Sequence, residues 1–322
     1  SMLNSDSSMR GIINFSPETK CCTHYPNLPN YIVGALLSDM NPALNEGRIR
    51  ISSLINKGVA VKPRGIMMPE KYQLLLKSSP DSFGRASSMV CPYLNKKKGI
   101  CTIWPFHSAV CNTWFCKYSA GEDGRLFWNS LRNYLLHVEK ILELYTLQKT
   151  GFDASHIILE KKEVRQLSSL EIDEKKSDQK TYEGVWGKWA GKEEEFYRET
   201  YSIVKGLNRQ RFKSLSGIVG EVLLRDVMKK WQKIMRPILP AVLKRNPRLI
   251  VEKTGDDEYT LIAYSGFDPV TVSGRVYRMI DFFDGKKTNK EVCGEVLKRT
   301  KTEPSHELLL SLFQMRVLTE HN

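Results

Sequence analysis

Six of the seven cysteines lie before residue 117, at Cys21, Cys22, Cys91, Cys101, Cys111 and Cys116, while Cys293 stands alone far downstream. Thiolates ligate zinc and iron–sulfur clusters, and they also carry redox chemistry. Disulfides are rare in a reducing compartment, so clustered cysteines there read as a metal or redox site. The intervals Cys91-x9-Cys101-x9-Cys111-x4-Cys116 match neither a zinc ribbon nor a bacterial ferredoxin run. Tertiary structure must therefore gather the ligands. The bland alternative is a set of buried structural thiols, because free cysteine is among the most buried residue types.

The surrounding sequence favours a site. Cys91-Pro92-Tyr93-Leu94 is followed by the turn Lys96-Lys97-Lys98-Gly99 and then by Cys101-Thr102-Ile103-Trp104, two short segments that return thiols to one place. Cys111 and Cys116 flank Trp114 and Phe115, and apolar walls exclude water from thiolate ligands. Successive side chains of an extended segment diverge, so Cys21 and Cys22 are not expected to serve one ion together. The preferred ligands are Cys22, Cys91, Cys101 and Cys111, with Cys21 and Cys116 in reserve. Four thiolates suit a [4Fe–4S] cluster and tetrahedral zinc alike. His24 and His107 sit close by in sequence, and each reads first as a hydrogen-bonded structural residue.

These elements resemble the YkgJ-like cysteine-cluster family. That family carries a Cys-Cys pair, then Cys-Pro-x-Leu, then Cys-x-Ile-Tyr-x-x-Arg-Pro-x-x-Cys. Cys21-Cys22, Cys91-Pro92-Tyr93-Leu94 and Cys101-Thr102-Ile103-Trp104 through Cys111 stand in those places, within residues 15–120. The family's upstream cysteine is missing, His107-Ser108 replaces its Arg-Pro, and Cys116 is an addition. The resemblance implies chelation of zinc or iron. It tips the choice towards an iron–sulfur cluster, [4Fe–4S], with zinc as the alternative.

Elements must position these thiols. Apolar runs predict helices over Asn30–Ser38 and Gly47–Asn56, the second stopped at Gly58. Gly65–Pro69 reads as loop and Gly121-Glu122-Asp123-Gly124 as a turn. From Leu126 to Thr150 runs an amphipathic helix with Leu131, Leu135, Val138, Leu142 and Tyr145 on one face. Its start, Phe127-Trp128, is expected against the cysteine region. Residues 153–180 read as an exposed connection. Trp186 and Trp189 read as packing anchors, and Glu193-Glu194-Glu195 as the first turn of a helix. Helices then continue to Met235, and Pro237, Pro240 and Pro247 mark a boundary.

Beyond that boundary Arg248–Val251, Tyr259–Ala263 and Val270–Val272 read as strands, followed by helices from Ser273 to Phe283, through Val292 to Val296, and from Ser305 to Met315. Strands followed by three helices describe a winged-helix-like domain. The run Val270-Thr271-Val272, Asp284-Gly285-Lys286-Lys287-Thr288 and Glu291-Val292 is similar to the PqqD-like domain. That resemblance implies recognition of a leader peptide added as a strand to the sheet edge. The expected fold class is α+β: a mostly helical cysteine-cluster domain at 1–152, a helical connecting region at 153–240 and the winged-helix-like domain at 241–322.

The 322 residues carry a net charge of +13, yet residues 236–322 hold 14 Lys/Arg against 12 Asp/Glu, which speaks against DNA as their ligand. No apolar run of about 18 residues predicts a membrane span. The polar start Ser1–Asp6 lacks a signal-peptide pattern, so the expected compartment is the cytoplasm. The leading expectation is an iron–sulfur protein whose C-terminal module docks a peptide or protein partner in a peptide pathway. A zinc-stabilised interaction protein is the alternative, and a DNA-binding redox sensor is the third reading. No nucleotide loop, hydrolase elbow or metalloprotease helix is present, and catalysis is not assigned.

Overall fold

The computed structural model describes residues 13–153 and 169–320. Its chain divides into two compact units, each built from separated stretches. The first combines Phe15–Thr113 with Arg132–Val222. The second combines Trp114–Leu131 with Leu223–Asn322 and takes in Ile13 and Asn14. Helices and several small antiparallel sheets make it a mixed α+β protein.

In the first unit β1 (Leu28–Pro29) leads directly into α1 (Asn30–Ser38), as the apolar run predicts. Helix α2 (Asn45–Lys57) ends on Gly58, whose φ of 66° is the left-handed cap a glycine accepts without strain. The stretch expected as loop contributes a strand: β3 (Gly65–Ile66) pairs with both β1 and β2 (Val61–Lys62), in the order β1-β3-β2. Next come α3 (Glu70–Ser78), the hairpin β4 (Leu94–Asn95) and β5 (Ile100–Cys101), and the short α4 (Ala109–Thr113).

Helix α5 (Gly121–Lys149) begins where a turn was expected. Glu122 and Asp123 occupy its first turn, where carboxylates meet the positive end of the helix dipole, so the acidic turn signal is a helix start. Phe127 packs on Trp231, and Trp128 on Phe115, which lies next to Cys116. The C-terminal half of α5 belongs to the first unit, where Glu143 pairs with Arg64 at 2.5 Å and Thr146 donates to Asn30 at 3.1 Å.

Residues 154–168 of the expected connection lie outside the described residues, as does Ser1–Asp6; Asp173–Asp178 is exposed. Helix α6 (Gln179–Trp186) and α7 (Glu193–Lys205) follow. Trp186 is buried against Phe196 and Tyr197, and the Trp189 indole donates to the Thr150 carbonyl, so both tryptophans are packing anchors. Helix α1 lies on α7 so closely that a Cβ on Gly34 would stand 1.8 Å from the Tyr197 carbonyl oxygen. Helix α8 (Arg209–Met235) breaks at Gly217, where φ is 58°.

The second unit's later part contains two three-stranded antiparallel sheets. The strands β7 (Ile250–Gly255), β8 (Glu258–Ile262) and β9 (Val270–Ser273) form a meander, close to the expected positions. Three helices follow: α9 (Gly274–Ile280), α10 (Asn289–Thr300) and α11 (His306–Gln314). Ser273, Thr288 and Ser305 cap them, with a full capping box between Thr288 and Glu291. The other sheet, β10 (Asp284–Thr288), β6 (Val242–Arg245) and β11 (Leu318–Glu320), has β6 at its centre, inside the proline-flanked stretch read as a boundary. Cys293 belongs to this unit's apolar core, with Leu243, Ile280 and Phe313.

Candidate metal centre

The five thiols of the first unit come from three segments. Cys21 and Cys22 lie on a turn pinned to the loop around Gly84: the Thr19 hydroxyl donates to the Gly84 carbonyl at 2.6 Å, and Thr23 Oγ1 accepts the Gly84 N–H at 2.5 Å. The Tyr72 hydroxyl reaches the carbonyls of Thr23 and Met89, tying this turn to the chain that enters Cys91. The Cys91 N–H then donates to the Cys22 carbonyl at 2.7 Å.

The hairpin supplies the second segment. Strands β4 and β5 pair with Leu94 opposite Cys101, and the turn closes at Gly99, whose φ is 63°. Lys20 adds a clasp from its ammonium group to the Gly99 carbonyl at 2.9 Å. Helix α2 holds the hairpin from behind. Arg50 donates to the Pro92 carbonyl at 2.6 Å and pairs with Glu46, and the Asn95 amide donates to the same carboxylate at 2.8 Å. Gly47 makes room, since a Cβ there would stand 2.4 Å from the Thr102 carbonyl oxygen. Cys111 forms the third segment, on α4, whose Ala109 N–H donates to Glu139 of α5 at 2.6 Å.

Two thiols sit in the same local frame. Burial raises the pKa of both Cys91 and Cys101, and backbone hydrogen bonding at Tyr93 and at Ile103, each two residues downstream, acts in the opposite sense. Hydrogen bonds of this kind stabilise a thiolate over a thiol. The Arg50 guanidinium acts in the same sense on both sulfurs.

Burial acts against ionisation. It pushes Cys91 and Cys101 up, and lifts Cys111 to about 11, with the neighbouring sulfurs adding repulsion. The two neighbouring thiols Cys21 and Cys22 shift in opposite directions through their mutual interaction, which pulls Cys21 down to about 7 and drives Cys22 up. A bound cation reverses this balance, because a coordinating thiol is deprotonated outright. His107 joins the group with Nε2 3.1 Å from the Cys101 sulfur. His24 is half-buried, and burial lowers its pKa.

Each of Cys21, Cys22, Cys91, Cys101 and Cys111 feels the charge of at least one other thiol of the group, with Cys101 common to most of these pairs. Cys116 belongs to the other unit, two residues past Trp114 where that unit resumes. Among the described residues no three His, Cys, Asp or Glu side chains already converge as a ligand array. The donor chemistry fits a soft or borderline metal, whereas the geometry is that of hydrogen-bonded thiols. Sequence reasoning missed Arg50, Glu46 and Glu139. The only signal for the first two is an i,i+4 Glu–Arg pair, which is common on solvated helices.

The chain matches no protein-family model, no curated protein and no solved structure. Among the described residues no helix is long and apolar enough to cross a membrane.

Proposed function

We propose that this protein is a metal–thiolate protein holding an iron–sulfur cluster on sulfur donors drawn from Cys21, Cys22, Cys91, Cys101 and Cys111, in line with the YkgJ-like resemblance. The observation that carries the reading is the β4–β5 hairpin, clamped by Arg50 at the Pro92 carbonyl, with the Cys91 N–H bonded to the Cys22 carbonyl. That bond ties the Cys22 turn to the chain that carries Cys91 and Cys101. Five thiols with no disulfide partner, gathered from residues 21 to 111, support a site over scattered core packing. The cluster, when bound, supplies electron transfer or Lewis acidity. The chain's own residues exclude water through Tyr93 and Ile103 and offset thiolate charge through Arg50.

The second part of the proposal concerns residues 241–322 as a winged-helix-like, PqqD-like module that docks an extended peptide through residues 245–322. Strand β7 is an edge of its sheet, with Ile250 exposed, and it offers unpaired backbone groups for strand addition. The cytoplasm remains the proposed compartment, since it keeps such thiols reduced. The experiment for the metal reading is anaerobic purification with iron, zinc and acid-labile sulfide analysis. Colourless protein carrying stoichiometric zinc and no sulfide after reconstitution transfers the site to the zinc alternative.

A further inference from the structure

Helix α8 carries an apolar row that its own unit leaves half open to solvent. The helix breaks at Gly217 and then runs on to Met235, and its part from Leu223 onward belongs to the second unit. Val227 is buried there, and Lys233 reaches Asp123 at 2.8 Å. Beside this buried side, Leu224, Met228, Trp231 and Met235 follow at intervals of four, three and four residues, each 43–61% exposed. That spacing aligns four large apolar side chains along about 16 Å of helix. Ile238, three residues on and 81% exposed, prolongs the row past the helix end. The Trp231 ring leans on Phe127, with centroids 5.4 Å apart.

We propose that this row docks an acidic amphipathic helix of a partner protein. Exposed apolar patches mark interaction surfaces, and Trp and Met are enriched at the centre of such interfaces. A strict four–three row is the narrow seam of helix pairing, whereas a helix lying in a membrane surface presents a broad apolar face. Charge selects the occupant. Beyond the apolar row lies a second, Arg225, Lys229 and Arg236, all exposed. Between Leu223 and Arg236 five Lys or Arg stand against a single carboxylate, Asp226, which Lys230 already pairs at 2.5 Å. Asp or Glu flanking the seam of the incoming helix would answer these cations, as charges beside a helix seam do. A second copy of this chain, paired antiparallel, would set the basic row against its own like charges, which disfavours it. The occupant here is a helix, while the β7 edge takes an extended strand, so neither site depends on the other.

The test uses full-length protein with isotope-labelled methionine methyl groups, read by magnetic resonance. Met228 and Met235 report the row, and Met40, exposed in the first unit, is the internal reference. The probes are two synthetic helical peptides with leucine at the four–three positions, one flanked by glutamate and the other by lysine. The glutamate peptide is expected to shift Met228 and Met235, leave Met40 in place, and bind at least about tenfold tighter than the lysine peptide. Met228→Ala should weaken that binding by about tenfold. Lys229→Glu with Arg236→Glu, both at exposed positions, should reverse the preference to the lysine peptide. Equal binding of the two peptides, or no shift at Met228 and Met235 with either, overturns the inference. Vesicles containing phosphatidylserine that move both methionine signals when neither peptide does would assign the row to a membrane surface and overturn it too. So would a dimer in sedimentation that Met228→Glu dissolves.

Discussion

The Glu139 carboxylate accepts the first amide of α4 and so fixes the helix that carries Cys111. Burial, with repulsion from Glu143, raises its pKa to about 7. The Tyr31 phenol and the Cys111 thiol face the same carboxylate, and Arg64 pairs with Glu143 rather than with Glu139. The folded state therefore holds this proton more tightly than the unfolded chain. The resulting stabilisation is complete below the unfolded value near 4.5 and is lost as pH rises towards 7. Glu139→Gln keeps an acceptor for Ala109 without the charge. Urea unfolding of the metal-free variant should show a flatter stability profile between those values and higher stability than wild type at pH 8. An unchanged profile would show that the carboxylate is not held protonated.

At the scale of elements, the site depends on α2 lying against the β4–β5 hairpin, with Gly47 letting the helix approach the Thr102 carbonyl just past β5. Alanine is ordinarily the better helix residue by roughly 1 kcal/mol. At Gly47 the sign should reverse, with Gly47→Ala costing about 1–3 kcal/mol as the hairpin is pushed off its support. Gly184 in α6 has nothing within 4 Å of an added Cβ, so Gly184→Ala should be neutral or stabilising. Opposite shifts of the two urea midpoints support this packing, and parallel shifts count against it. Helix α1, α2 and the hairpin were legible because each is local: an apolar run with a glycine stop, or two segments around Lys96–Gly99. The strand β6 was not, since its partners begin at Asp284 and Leu318 and its own four residues carry no alternation strong enough to outweigh flanking prolines. The thiols were legible by residue type, while Arg50 and Glu139 act through backbone groups that only the fold brings to them.

The whole molecule joins a cysteine-bearing unit to one with two small sheets, and α5 and α8 each contribute to both. No local signal in the sequence marks such an exchange, because an amphipathic helix looks the same whichever core its ends serve. Each unit carries its own proposed task. For the second, isotope-labelled full-length protein titrated with extended peptides encoded beside its gene should show amide shifts centred on Ile250–Gly255. Salt-sensitive shifts with random duplex DNA alone would support the sensor reading instead. The central claim concerns the first unit, and its most direct measurement is iron and acid-labile sulfide per chain after anaerobic purification, for wild type and for Cys91→Ser and Cys101→Ser. Brown wild-type protein with matched iron and sulfide, both depleted in the two variants, is the predicted result. Wild-type protein that retains no metal even after reconstitution, or variants that retain all of it, would contradict the account.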